Sequence, residues 1–119
     1  KNDELIKTVM EAWYREKTEE QVKKRIKYYQ KFFNKKPSAI KVKEQKKRWA
    51  SCTSNNELLF NWRCVMAKST ALDYIIVHEM CHMYHMNHSQ EFWNLVSSVM
   101  ADYEVRKEWL RDYGVRLNL

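Results

Sequence analysis

A chain of 119 residues that contains one glycine, Gly114, and one proline, Pro37, has few ways to turn sharply. Left-handed turns and close backbone approaches default to glycine. Neither a glycine-rich phosphate loop nor a dinucleotide-binding fingerprint can be built without it. The many tight turns of a β-sandwich are equally out of reach. What remains is a helix-rich chain with at most a small sheet. Its length fits one domain spanning residues 1–119, and the first residue falls mid-pattern, as in a fragment of a longer chain.

Apolar residues Leu5, Val9 and Trp13, then Val22, Ile26, Tyr29 and Phe33, recur at helical spacing and predict a long amphipathic N-terminal helix. Thr18-Glu19-Glu20-Gln21 reads as a capping box that could restart it, so one bent helix and two helices are both compatible. After Pro37, short alternating runs over Ala39 to Val42, Arg48 to Thr53 and Leu58 to Trp62 predict three strands in an antiparallel-rich sheet. Ser54-Asn55-Asn56-Glu57 is the turn between the last two. Ser69 or Thr70 can cap the next helix, which carries Leu72, Ile75, Ile76 and Val77 inward and runs to about Met86. Ser89 can cap a further one, and Asp102 can start the last, carrying Val105, Trp109 and Leu110 to a stop at Gly114. The order is helix, sheet, helices, an α+β layout.

The charge is uneven. Residues 1–50 hold 16 Lys and Arg against 7 Asp and Glu, while the remainder is slightly acidic. A basic half can attract nucleic acid or acidic protein, yet its cations are mostly lysine, which lacks the bidentate geometry of base reading. The three cysteines, Cys52, Cys64 and Cys81, form no CxxC pair and read as free thiols. With a charged N-terminus and no apolar run of membrane length, the chain reads as cytoplasmic, with no membrane partner.

The chemistry lies in the acidic half. His78-Glu79-Met80-Cys81-His82 is an HExxH pattern. Two histidines at i and i+4 leave one helical face a turn apart, so their ring nitrogens can converge on one Zn²⁺. Glu79, rotated by about 100°, lies beside the metal, where a carboxylate can take a proton from water. By composition the pattern arises by chance in roughly one such sequence in a hundred. A catalytic site needs a third protein ligand, and His85, His88, Glu91 and Glu104 are the candidates. His85 would be nearly collinear with the pair. His88 comes from another direction if Asn87 takes the left-handed conformation that reverses the chain. Arg48, His85 and Tyr103 are candidates for stabilising an oxyanion, and Asp73 reads as a first-turn carboxylate.

The runs Arg48-Trp49-Ala50-Ser51-Cys52, Leu59-Phe60-Asn61-Trp62-Arg63, Asp73 through Glu79, Asn87-His88-Ser89 and Phe92-Trp93 resemble the YgjP-like metallopeptidase domain, a relative of the SprT-like proteases. The resemblance extends through Asp102-Tyr103 and Arg106 to Leu110. It implies a minimal zincin fold with the HExxH helix packed on a small sheet. It also implies His78, His82 and His88 as zinc ligands, Glu79 as catalytic base, and peptide or protein substrates hydrolysed by metal-activated water. Ala50 departs from the glycine usual there. By fold analogy, Glu57–Trp62 is the edge to which an extended substrate would add. A metal-dependent hydrolase of nucleic acid, whose ligand spacing the YbeY-like endoribonucleases share, and a noncatalytic zinc module for binding nucleic acid or protein are the alternative readings.

Overall fold

The computed structural model describes residues 2–45 and 48–113. Helix α1 (Asn2–Tyr29) is one continuous helix. A 3-10 turn (Gln30–Phe32) follows it, then strands β1 (Ala39–Lys43), β2 (Ala50–Cys52) and β3 (Glu57–Asn61). A second 3-10 turn (Trp62–Met66) leads to α2 (Ser69–Cys81), α3 (Gln90–Val99) and α4 (Tyr103–Tyr113). The expected stop at Gly114 lies outside the described residues, as do Lys46 and Lys47 of the basic cluster.

Thr18 does not restart α1. It is fully buried inside the helix, donates from Oγ1 to the Trp62 carbonyl (2.7 Å) and accepts from the Val65 N–H (3.3 Å). The helical period is as expected, but only its later part reaches the core: Val22, Ile26 and Tyr29 are buried, whereas Leu5, Val9 and Trp13 are 63%, 59% and 52% exposed. A helix of this length spans about 42 Å, longer than the core it meets, so its first turns project. Its basic residues are partly engaged in pairs along the helix, Arg15 with Glu11 and Lys23 with Glu19.

The sheet is mixed rather than antiparallel-rich. Its order is β1-β3-β2, with β1 parallel and β2 antiparallel to β3. A short turn joins β2 to β3, closed by Asn56 N–H to the Thr53 carbonyl and by Asn56 at φ 64°, the left-handed region that asparagine tolerates. β1 and β2 therefore lie on opposite sides of β3. Buried Asn61, at the end of β3, donates from Nδ2 to the carbonyls of Gln45 (2.7 Å) and Arg48 (3.2 Å), while its Oδ1 accepts the Arg63 N–H. β3 is therefore the central strand, and the expectation that it offers a free edge is overturned: β2 is the edge on that side. The predicted third strand also stops one residue early, Trp62 opening the 3-10 turn.

α2 is buried on nearly every side, because α1, β2, α3 and α4 all pack against it. Neither Ser69 nor Thr70 caps it; Lys68 is the N-cap and gives no side-chain hydrogen bond. Asp73 is not a first-turn carboxylate, because α2 begins at Ser69 and its first turn holds no acidic residue. Arg25 grips it with two hydrogen bonds of 2.9 Å and the Tyr29 hydroxyl adds a third at 3.0 Å, fastening α2 to α1. That bidentate contact holds the Arg25 guanidinium in its charged form. The helix ends at Cys81, short of Met86. Ser89 caps α3 by accepting the Phe92 N–H, as predicted. On α4, Leu110 is buried but Val105 is 72% exposed. Among the described residues no helix is long and apolar enough to cross a membrane.

Candidate metal centre

His78 lies in the last turn of α2, and His82 is its C-cap, still in helical conformation, with its N–H on the His78 carbonyl. A turn at Met83–Tyr84 then leads the chain back so that His88 faces the pair, just ahead of the Ser89 cap. The reversal does not use a left-handed Asn87: Asn56 is the one non-glycine residue with positive φ among the described residues. Spreading the change of direction over residues 83–88 removes the need for it.

The Nε2 atoms of His78, His82 and His88 form a triangle 3.2 Å on each side. A tetrahedral ion with nitrogen bonds of about 2.0–2.1 Å requires its ligands to be about 3.3 Å apart. The triangle fits. The His82 Nδ1 lies 2.9 Å from the His85 carbonyl, which can only accept, so Nδ1 carries the proton and Nε2 presents a lone pair. The Tyr74 hydroxyl is 3.0 Å from Nδ1 of His78 and holds that ring likewise. Burial, then the neighbouring imidazoles, pushes His78 down to about 3, and burial lowers His82. Three imidazole nitrogens converging at this spacing form a donor set suited to one metal ion. Among the described residues this is the group able to hold a metal ion.

Phe92 and Trp93 fix the rings from α3. Phe92 stacks on His82 (centroids 4.4 Å) and Trp93 on His88 (5.6 Å). Tyr103 stacks behind Trp93 at 5.4 Å, and Lys107 lies over the Trp93 ring.

Glu79 is buried beside the triad, and its Oε1 has no hydrogen-bond partner. Burial pushes its carboxyl up to about 8, and the Arg48 guanidinium opposes the shift. A cavity of about 330 Å³ brings His78, Glu79, His82 and His88 together with Arg48, Met86 and the β2 residues Ala50, Ser51 and Cys52. Of the oxyanion candidates, Arg48 lines this cavity. His85 contributes its carbonyl to His82, Tyr103 belongs to the aromatic stack, and neither side chain is in the lining. Glu91 and Glu104 are exposed and stand outside the triad. Cys64 and Cys81 are buried thiols, while Cys52 is half-buried in the cavity wall and pushed up to about 11 by burial. Tyr74 is the supporting residue that sequence reasoning missed, although its place four residues before His78 on the same helical face was a usable signal.

The fold is a metallopeptidase fold. It is similar to the crystal structure of the metallopeptidase zymogen of Pyrococcus abyssi abylysin, with a TM-score of 0.68 at 17% identity, covering 82% of this chain and 95% of that one. Residues 1–113 match the YgjP-like metallopeptidase domain, and the chain belongs to that family. No curated protein matches it. Membership makes it a metal-dependent peptidase by class, with peptide or protein as the substrate class.

Proposed function

We propose that the chain hydrolyses peptide bonds with a zinc ion held by His78, His82 and His88 and with Glu79 as general base. The observation that carries this reading is the 3.2 Å Nε2 triangle beside a buried, unpartnered carboxylate oxygen. Three imidazoles suit zinc and leave a fourth position open, the arrangement of catalytic rather than structural sites. Bound there, zinc would supply Lewis acidity, lowering the pKa of water toward about 7 and polarising the scissile carbonyl.

Glu79 takes the proton of the attacking water at Oε1 and returns it to the leaving amine nitrogen. Its burial leaves Oε1 with no competing partner, and a nearby dication offsets the desolvation that otherwise keeps the carboxyl protonated. Arg48, exposed and bordering the cavity, supplies the positive charge that faces a developing oxyanion. An extended substrate adds to the edge strand β2, whose residues line the cavity. Tyr74 and the His85 carbonyl orient two of the ligand rings.

The test is cleavage of an unfolded protein substrate by zinc-loaded wild type and Glu79→Gln. Loss of the base costs about 10²–10⁴-fold in rate while bound zinc stays unchanged. Cleavage by the variant near the wild-type rate refutes the role of Glu79.

A further inference from the structure

His88 is the exposed corner of the triangle. Among the described residues, the backbone of residues 86–88 makes no hydrogen bond, so this stretch is held from its two ends. One end is the Ser89 cap of α3. The other is the turn at residues 83–84, and it is fastened from outside the site. The Tyr84 hydroxyl oxygen accepts two successive backbone N–H groups, those of Asn34 (2.8 Å) and Lys35 (2.7 Å). The Lys35 ammonium in turn donates to the Met83 carbonyl (2.9 Å) and lies 4.9 Å from the Tyr84 ring centroid. Buried Phe33 packs its ring against that of Tyr84, with centroids 6.0 Å apart. The Gln30 side-chain amide closes the donor segment on itself by reaching the carbonyls of Phe33 (3.2 Å) and Lys35 (2.8 Å). The chain just past α1 is thus tied to the turn just past α2.

We propose that Tyr84 and Lys35 are positioning residues for the metal centre, holding the 83–84 turn so that the His85 carbonyl and the His88 ring meet the other ligands at metal-binding distance. The inference rests on the zinc reading of the triangle given above and adds what sets its affinity. Tyr84 lies between His82 and His88 in the chain, and its neighbour His85 supplies the carbonyl that fixes the His82 tautomer. A movement of the turn therefore disturbs two ligands at once. Ligand geometry must hold to within about 0.5 Å for a site to work, and a stretch without hydrogen bonds of its own has only its anchors to supply that. The Lys35 bond is charge-assisted and so stronger than a neutral one. Asn34 and Lys35 are exposed, so water replaces a lost partner and the fold survives without the clamp.

The experiment titrates the metal-free chain with zinc against a chelator, in wild type, Tyr84→Phe, Lys35→Met and Lys35→Arg. Tyr84→Phe keeps the ring and loses the acceptor; Lys35→Met keeps the stem and loses the donor. Each is expected to weaken zinc binding about tenfold, the lower end of what losing an outer-shell partner costs. The double variant should lose little more than either alone, since both act through one turn. Lys35→Arg restores a cationic donor and should bind near the wild-type affinity. Val22→Ala, a core change on α1, should lower stability and leave the zinc affinity of the folded chain unchanged. NMR relaxation of the metal-free proteins gives a second reading: backbone order parameters at residues 86–88 should fall toward about 0.6 in Tyr84→Phe and Lys35→Met and hold elsewhere. Unchanged zinc affinity in either of these two variants overturns the proposal. If His88→Ala binds zinc as tightly as wild type, the triangle reading fails instead, and relaxation decides the clamp: looser residues 86–88 uphold its grip on the turn, and unchanged order overturns it.

Discussion

Replacing Glu79 by Gln in the metal-free protein removes a titration that the fold opposes. The side chain is 6% exposed, and burial pushes its carboxyl from the ordinary 4.5 up to about 8. In the unfolded chain it ionises near its ordinary value. A group raised in this way stabilises the fold fully below its unfolded pKa and loses that contribution as pH rises through the folded one. At about 1.4 kcal/mol per unit, the metal-free wild type loses about 5 kcal/mol through this group between pH 4.5 and pH 8. Gln keeps the shape and does not titrate. The variant's excess unfolding free energy should therefore be small at pH 4.5 and reach several kcal/mol by pH 8. His78 and His82 are held low by burial, so their contributions are lost in the opposite direction, as pH falls. They act equally in both proteins and cancel in the difference. Urea unfolding with a chelator present, repeated across that pH range, measures it. Parallel stability curves for the two proteins would refute the claim that Glu79 is buried without a partner.

His88→Ala removes one corner of the triangle and should weaken zinc binding by more than the about 10–100-fold typical of losing an outer-shell partner, as read by competition with a chelator. Tyr74→Phe leaves the buried ring in place but removes the hydroxyl from Nδ1 of His78. It should cost about 10–100-fold in zinc affinity with the circular dichroism spectrum unchanged; unaltered affinity would assign Tyr74 to packing alone.

The helices and the histidine cluster were legible because periodicity and i, i+4 spacing are local properties of the chain. What sequence could not supply was set by distant contacts. β3 is central because β1 and β2 pair along its two sides, with its Asn61 holding the Gln45 and Arg48 carbonyls. The first turns of α1 carry a sound apolar pattern, yet Leu5, Val9 and Trp13 meet no core, since spacing cannot say where the core ends. Asp73 has no local feature to mark it, and its partner Arg25 lies 48 residues away. Asn87 shows the reverse error: scarcity of glycine suggested that one residue must turn the chain, whereas several share the reversal at ordinary backbone angles. At the candidate site, the HExxH pattern picked out His78, Glu79 and His82, while the contacts that support them, such as the His85 carbonyl on His82 and the Trp93–Tyr103 stack, follow from the fold.

The central claim is that one zinc ion sits at the triangle of His78, His82 and His88 with a position left open. Anomalous diffraction at the zinc edge from crystals of the zinc-loaded chain tests it most directly. The account predicts one ion about 2.0–2.1 Å from the three Nε2 atoms, with no fourth protein ligand and with Glu79 beside the ion. An ion held elsewhere, or a shell closed by Cys52 or Glu79, would contradict it.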